Sequence, residues 1–220
     1  KNLTNFYSNL DVCTSTSSMF ENCTKLSSFG SIMPKVTNAK DMFYSCTNLD
    51  TFSSDLSSLK YGDYMFYNCS KLATFDPKAL SSLTEGNYMF HGCSLLPMFT
   101  LDMNRLSEAP GMFTSCYSLT TFKSSLNLLT SASSMFYNCK NLTSFSAPTP
   151  VLSTATNMFY GCSSLSSFES SSTKLKDVNY MFHGCSSLTT FNGSFASVTK
   201  CAYNTFNGCK LNKESVANIA

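Results

Sequence analysis

Eleven cysteines, eleven methionines and two histidines are the residues of this 220-residue chain best suited to chemistry. Thiolate and thioether sulfur are soft ligands for copper, zinc or iron–sulfur clusters, and a thiol beside a histidine can act as a nucleophile. The densest example is residues 135–145, MFYNCKNLTSF, where Met135, Phe136, Cys139, Leu142 and Phe145 crowd together. Whether they form a site or a framework depends on how the rest of the chain uses the same residue types.

The pattern recurs. With the Met of each Met-Phe pair as position 0, copies begin at Met19, Met42, Met65, Met89, Met112, Met135, Met158 and Met181, with Thr205 replacing Met in a ninth. The period is 23 residues, or 24 before Met89 and Thr205. Position +1 is always Phe and +4 always Cys, while +7 is Leu and +10 Phe in the first eight copies. Leu3 and Phe6 fit +7 and +10 of a truncated copy, so the chain starts inside a repeat and, lacking an initiator Met, reads as a processed or trimmed piece. Of its 19 Phe residues, 18 fall on the two grid positions. Met135, Phe136, Cys139, Leu142 and Phe145 are therefore read as structural core.

A repeat of this length places the chain among solenoids, in which each unit buries its apolar face by stacking on the next. Positions −3, 0, +1, +4 and +7 share one face at helical spacing, which predicts a short helix or helical turn with that face inward and +2 outward. The following stretch, such as LTSFS at 142–146, is rich in Thr and Phe and predicts a short strand. Strands of successive coils would pair in parallel about 4.8 Å apart. A further apolar position at +17, for example Val36, Leu59 and Leu106, closes the coil. The expected organisation is an α/β solenoid over residues 1–210, a truncated first repeat followed by about nine copies. A capping helix over 211–220 would close it, with Asn212 as N-cap and Val216, Ile219 and Ala220 at amphipathic spacing.

Regular stacking argues against metal or redox chemistry. Nine cysteines occupy one position in successive coils, so neighbouring Cβ atoms stay near the ~4.8 Å coil spacing, longer than the ~3.8 Å a disulfide favours. Such a ladder cannot converge on one tetrahedral ion; it reads as buried reduced thiols behaving as small hydrophobes. Cys13, at +17, reads as core, and Cys201 as the best accessible thiol. His91 and His183 both occupy +2, four coils or about 20 Å apart, and cannot form a pair. No catalytic residue, metal site or cofactor is expected. Fifteen scattered basic residues and a net charge of +2 exclude a phosphate-tracking patch, hence nucleic acid as a partner. No apolar run reaches the ~18 residues of a membrane span.

Two surfaces remain for binding. One is the outward +2 stripe, with Tyr44, Tyr67, Tyr137 and Tyr160, whose rings either offer contact area or shield the coils by stacking on one another. The other is the outward strand face. Its +9 and +11 positions contribute Thr74, Asp76, Thr100, Thr121, Lys123, Ser146, Glu169 and Asn192, varied side chains on a regular lattice.

The grid A-x-x-M-F-x-x-C-x-x-L-x-x-F, with MFYGCSSLSSF at 158–168 a close match, resembles the BspA-like leucine-rich repeats of bacterial surface proteins over essentially the whole chain. The resemblance implies a right-handed leucine-rich-repeat coil with a parallel β-sheet on one face and short helices or helical turns on the other. It also implies a non-enzymatic, extracellular or cell-surface binding and adhesion module for a protein or glycan ligand on a host or neighbouring cell surface. The alternative is a structural spacer or stalk displaying another domain on a cell or phage particle.

Overall fold

A computed structural model describes residues 2–200 and 204–217. The chain winds as a parallel-strand solenoid, one sequence repeat to each coil. The strands are β1 (Asn5–Phe6), β2 (Ser28–Phe29), β3 (Thr51–Phe52), β4 (Thr74–Phe75), β5 (Met98–Phe99), β6 (Thr121–Phe122), β7 (Ser144–Phe145), β8 (Ser167–Glu169) and β9 (Thr190–Asn192). They pair in parallel and in register, Phe opposite Phe, as β1–β4, β5–β6 and β7–β9. A single helix is found among the described residues, α1 (Lys213–Ala217).

The core is built from the repeated side chains. Phe rings at +1 stack coil on coil at centroid distances of 5.3–5.5 Å. The +10 rings form a second column at 5.4–6.1 Å. Members of the two columns meet edge to face, as Phe136 and Phe145 do at 5.8 Å and 64°. Parallel stacking within a column and T-shaped contact between columns both suit the ring quadrupole, each pair contributing about 0.5–1.5 kcal/mol beyond burial. Met135, Phe136, Cys139, Leu142 and Phe145 are all buried.

No helix forms at the Met-Phe-x-x-Cys segments among the described residues. The chain there runs through tandem turns, in which position 0 donates to the −3 carbonyl and +4 to the +1 carbonyl, as in Met42 N to Ala39 O and Cys46 N to Phe43 O. Intervening amides point out of the coil. Ala39, Asp41, Phe43 and Ser45 donate to Tyr61, Asp63, Met65 and Tyr67 of the next coil at 2.7–3.0 Å. Half the amide hydrogens are thus taken by the neighbouring coil and are lost to an i→i−4 ladder. The geometry requires left-handed backbone at −1 and +3, occupied in most coils by Asn, Ser, Tyr or Gly, such as Ser134 (φ 56°), Asn138 (φ 59°) and Gly161 (φ 71°).

At the C-terminal end Asn212 Oδ1 accepts the Ser215 amide at 2.8 Å, an N-cap contact. Ser215 is the buried residue of α1: its hydroxyl accepts the Phe191 amide at 2.8 Å and donates to the Thr189 carbonyl at 3.3 Å. Val216 is 54% exposed. Among the described residues, α1 is tied to the last coil through these hydrogen bonds. Cys201, Ile219 and Ala220 lie outside the described residues.

Candidate functional site

On the strand face the pleat sends +10 inward and +9 and +11 outward. Asp76, Thr100, Lys123, Ser146, Glu169 and Asn192, all at +11, are exposed; at +9 Thr74 is exposed and Thr121 half-buried. The row is not one uniform surface, because β4 and β5 do not pair. At +8 of other coils an amide donates to the preceding coil: Ala73 to Asp50, Thr120 to Pro97 and Ser166 to Thr143, each at 2.9 Å. Pro97 stands at this position in the fifth coil and has no N–H.

The coils splay there. Phe75 and Phe99 are 6.1 Å apart, the widest step in their column. A cleft of ≈ 330 Å³ opens between residues 73–76 and 96–101, bringing Thr74, Asp76 and Thr100 around exposed Met98. Thr121 and Lys123 lie one coil on. Ser146, Glu169 and Asn192 lie beyond the second interruption, between β6 and β7, where no residue offers a comparable cause.

On the turn side the +2 rings are half-buried and stack in two ladders. Tyr44 meets Tyr67 at 4.8 Å and Tyr67 meets His91 at 4.4 Å; Tyr137 meets Tyr160 at 4.8 Å and Tyr160 meets His183 at 4.6 Å. Stacking covers both faces of Tyr67 and Tyr160, which present chiefly their edges, and one face each of Tyr44 and Tyr137. Tyr64 and Tyr88, at −1, stack beside the first ladder at 5.3 Å. Burial lowers the His91 pKa, which leaves the imidazole neutral at neutral pH. Lys40 bridges Asp63 at 2.8 Å and Glu85 at 3.2 Å on the same side of the early coils.

The thiols have a structural task. Each ladder Sγ from Cys46 to Cys209 donates to the +1 Phe carbonyl of the coil before it, at 3.0–3.2 Å; Cys139 bonds Phe113 and Cys162 bonds Phe136. The cysteines are thus more than small hydrophobes: they tie coil to coil through backbone oxygen. Burial pushes their pKa upward, to about 12 at Cys46 and at Cys209, and this suppresses the thiolate that nucleophilic or metal chemistry needs. All ten described cysteines are free. Among the described residues no three His, Cys, Asp or Glu side chains gather to hold a metal ion, and no helix is long and apolar enough to cross a membrane.

Sequence reasoning overlooked the Pro97 cleft, although a proline at +8 of a paired strand was the available signal. It also overlooked a buried column at +14, where Leu10, Met33, Leu56, Met103 and Leu126 close the coil beside +17. That column was obscured because Thr149 and Ser172 are polar and Leu80 sits one residue late.

Known proteins share this architecture. A family model described as the BspA type leucine rich repeat region matches residues 1–96 and 84–213 in 6 copies. A leucine rich cell surface protein from Faecalibacterium prausnitzii is similar at 19% identity and a TM-score of 0.66, covering 93% of this chain and 70% of that one. A leucine-rich repeat protein from Bacteroides ovatus is similar at 23% identity and a TM-score of 0.52, over 94% of this chain and 65% of that one. No curated protein sequence matches significantly.

Proposed function

The chain belongs to the BspA-type leucine-rich repeat family, and from that premise we propose that it is a non-enzymatic, extracellular or cell-surface module that binds a protein or glycan through its strand face. One observation carries the reading: the +11 side chains are exposed in successive coils and differ from coil to coil, on a backbone fixed by stacking. A rigid lattice with variable side chains loses little entropy on binding. The cleft at Pro97 gives that lattice a concavity, lined by Thr74, Asp76, Met98 and Thr100. The similarity to a protein described as a cell surface protein supports the location.

The test is binding of the purified chain to host-matrix proteins and to a glycan array, before and after Asp76→Ala, Lys123→Ala and Glu169→Ala. Binding should fall about tenfold or more when a central contact is removed. Binding that survives all three changes excludes the strand face.

A spacer or stalk is the second reading. It is favoured by the turn-side bonds, which link each coil to the next from Thr16 through Phe182. A chain that binds neither the host-matrix proteins nor the glycan array, and that lies in its full-length gene between an anchor and a distinct terminal domain, would establish the spacer instead.

A further inference from the structure

The two +2 ring ladders are one ladder with a rung missing. Tyr44, Tyr67 and His91 occupy successive coils, as do Tyr137, Tyr160 and His183, and the coil between them carries Thr114. The backbone does not skip: Phe90 N reaches Met112 O and Phe113 N reaches Met135 O, both at 2.8 Å, so coil spacing is kept on either side. His91 and Tyr137 are therefore two rungs apart, roughly 9.6 Å at about 4.8 Å per coil. Carbon surfaces in contact sit about 3.5–4.0 Å apart, so one ring between two walls needs roughly 7–8 Å and two need more than the gap offers. A spacing of that size has room for one ring.

Its floor is small by sequence. Thr114 is 8% exposed, and its hydroxyl donates to the Ser134 carbonyl at 2.8 Å. Gly111, at −1 of the same coil, adds nothing: a Cβ there would collide with the Tyr88 ring, which leans over it. The neighbouring ladder thus also ends at this coil. His91 and Tyr137 would then wall a slot over Thr114, with Tyr88 to one side. The neutral imidazole of His91 stacks without the cost of desolvating a charge.

We propose that the slot over Thr114, between His91 and Tyr137, binds an aromatic side chain projecting from a partner polypeptide, which completes the ladder. The occupant is specified by the neighbouring rungs, where rings of this size already stack at 4.4–4.8 Å on both sides of the gap. Isolated aromatic anchors entering such pockets are the usual centre of protein interfaces. The proposal rests on the reading of this chain as a binding module and adds a contact on the turn side, away from the strand face.

The chain contains no tryptophan, so N-acetyltryptophanamide added to it is the only indole present and its emission reports the slot directly. That amide and N-acetyltyrosinamide, titrated with NMR detection, should bind saturably and about tenfold or more tighter than N-acetylleucinamide, with shifts centred on His91, Thr114 and Tyr137. Thr114→Tyr, which supplies the missing ring from within, should abolish the binding, while Thr114→Val should keep it. Equal response to aromatic and leucine amides, shifts centred elsewhere, or undiminished binding to folded Thr114→Tyr would each overturn the proposal. Should Thr114→Tyr not fold, the shift map and the amide preference of the unaltered chain decide alone. Asp76→Ala, Lys123→Ala and Glu169→Ala should leave the amide titration unchanged, which separates failure of the slot from failure of the strand face.

Discussion

The two sides of each coil are held to their neighbours in different ways. On the turn side, amides at −3, −1, +1 and +3 cross to the next coil, and the ladder thiols cross to the one before, throughout the described middle coils. On the strand side two or three residues per coil pair, and the sheet is broken twice. The difference is chemical. The turn side repeats residues that accept left-handed backbone and a cysteine that donates inward; the strand side tolerates Pro97, Met98 and a +11 residue that changes from each coil to the next. Variation is concentrated where little backbone bonding depends on it.

Raising the pH should break the turn side most completely. The ladder thiols stay protonated in the folded chain well above their ordinary pKa near 9, whereas the unfolded chain releases those protons from about pH 9 upward. The unfolded state then binds fewer protons, so stability is whole below pH 9 and falls between about pH 9 and 12. Circular dichroism against pH should show cooperative alkaline unfolding, shifted upward in a variant with several ladder cysteines changed to alanine.

Phe136→Ala removes a ring stacked on both sides in the middle of the column and should cost about 3–5 kcal/mol in denaturant unfolding. Phe6→Ala, at the half-buried first rung, should cost clearly less. Equal losses would mean that stacking on two neighbours adds nothing to stacking on one.

Asn138→Val forces a β-branched residue into φ 59° and should destabilise by about 1–3 kcal/mol, while Asn138→Gly should be nearly neutral. The smallest effect is expected on the strand side. Pro97→Ala restores a donor toward the Ala73 carbonyl, a gain of about 0.5–1.5 kcal/mol. It is offset by about 0.4–1 kcal/mol of added chain entropy in the unfolded state. Net stability should hardly move, while hydrogen exchange at Met98 and Thr100 slows as the cleft closes.

Much of this was legible beforehand because a column of identical side chains must recur at the coil period. Phe at +1 and +10, Cys at +4 and Leu at +7 placed the core, and the same spacing set His91 and His183 four coils apart. The turns were not legible from that spacing, since −3, 0, +1, +4 and +7 also describe one face of a helix. Asn22, Asn68, Gly92, Asn138, Gly161 and Gly184 at +3 held the contrary signal, left-handed backbone recurring once per coil. For the binding surfaces, alternation along the strand put Asp76 and Lys123 outward, but nothing in it told that Thr74 and Thr100 flank a cleft.

The sequence by itself determined the period, the family and the inward residues, because each depends on what a single coil repeats. Only the tertiary structure decided which amides leave their own coil, where the sheet parts at Pro97, and that the +2 rings stack face to face on either side of Thr114. Those are relations between one coil and the next, fixed by distances across the stack that no single repeat contains.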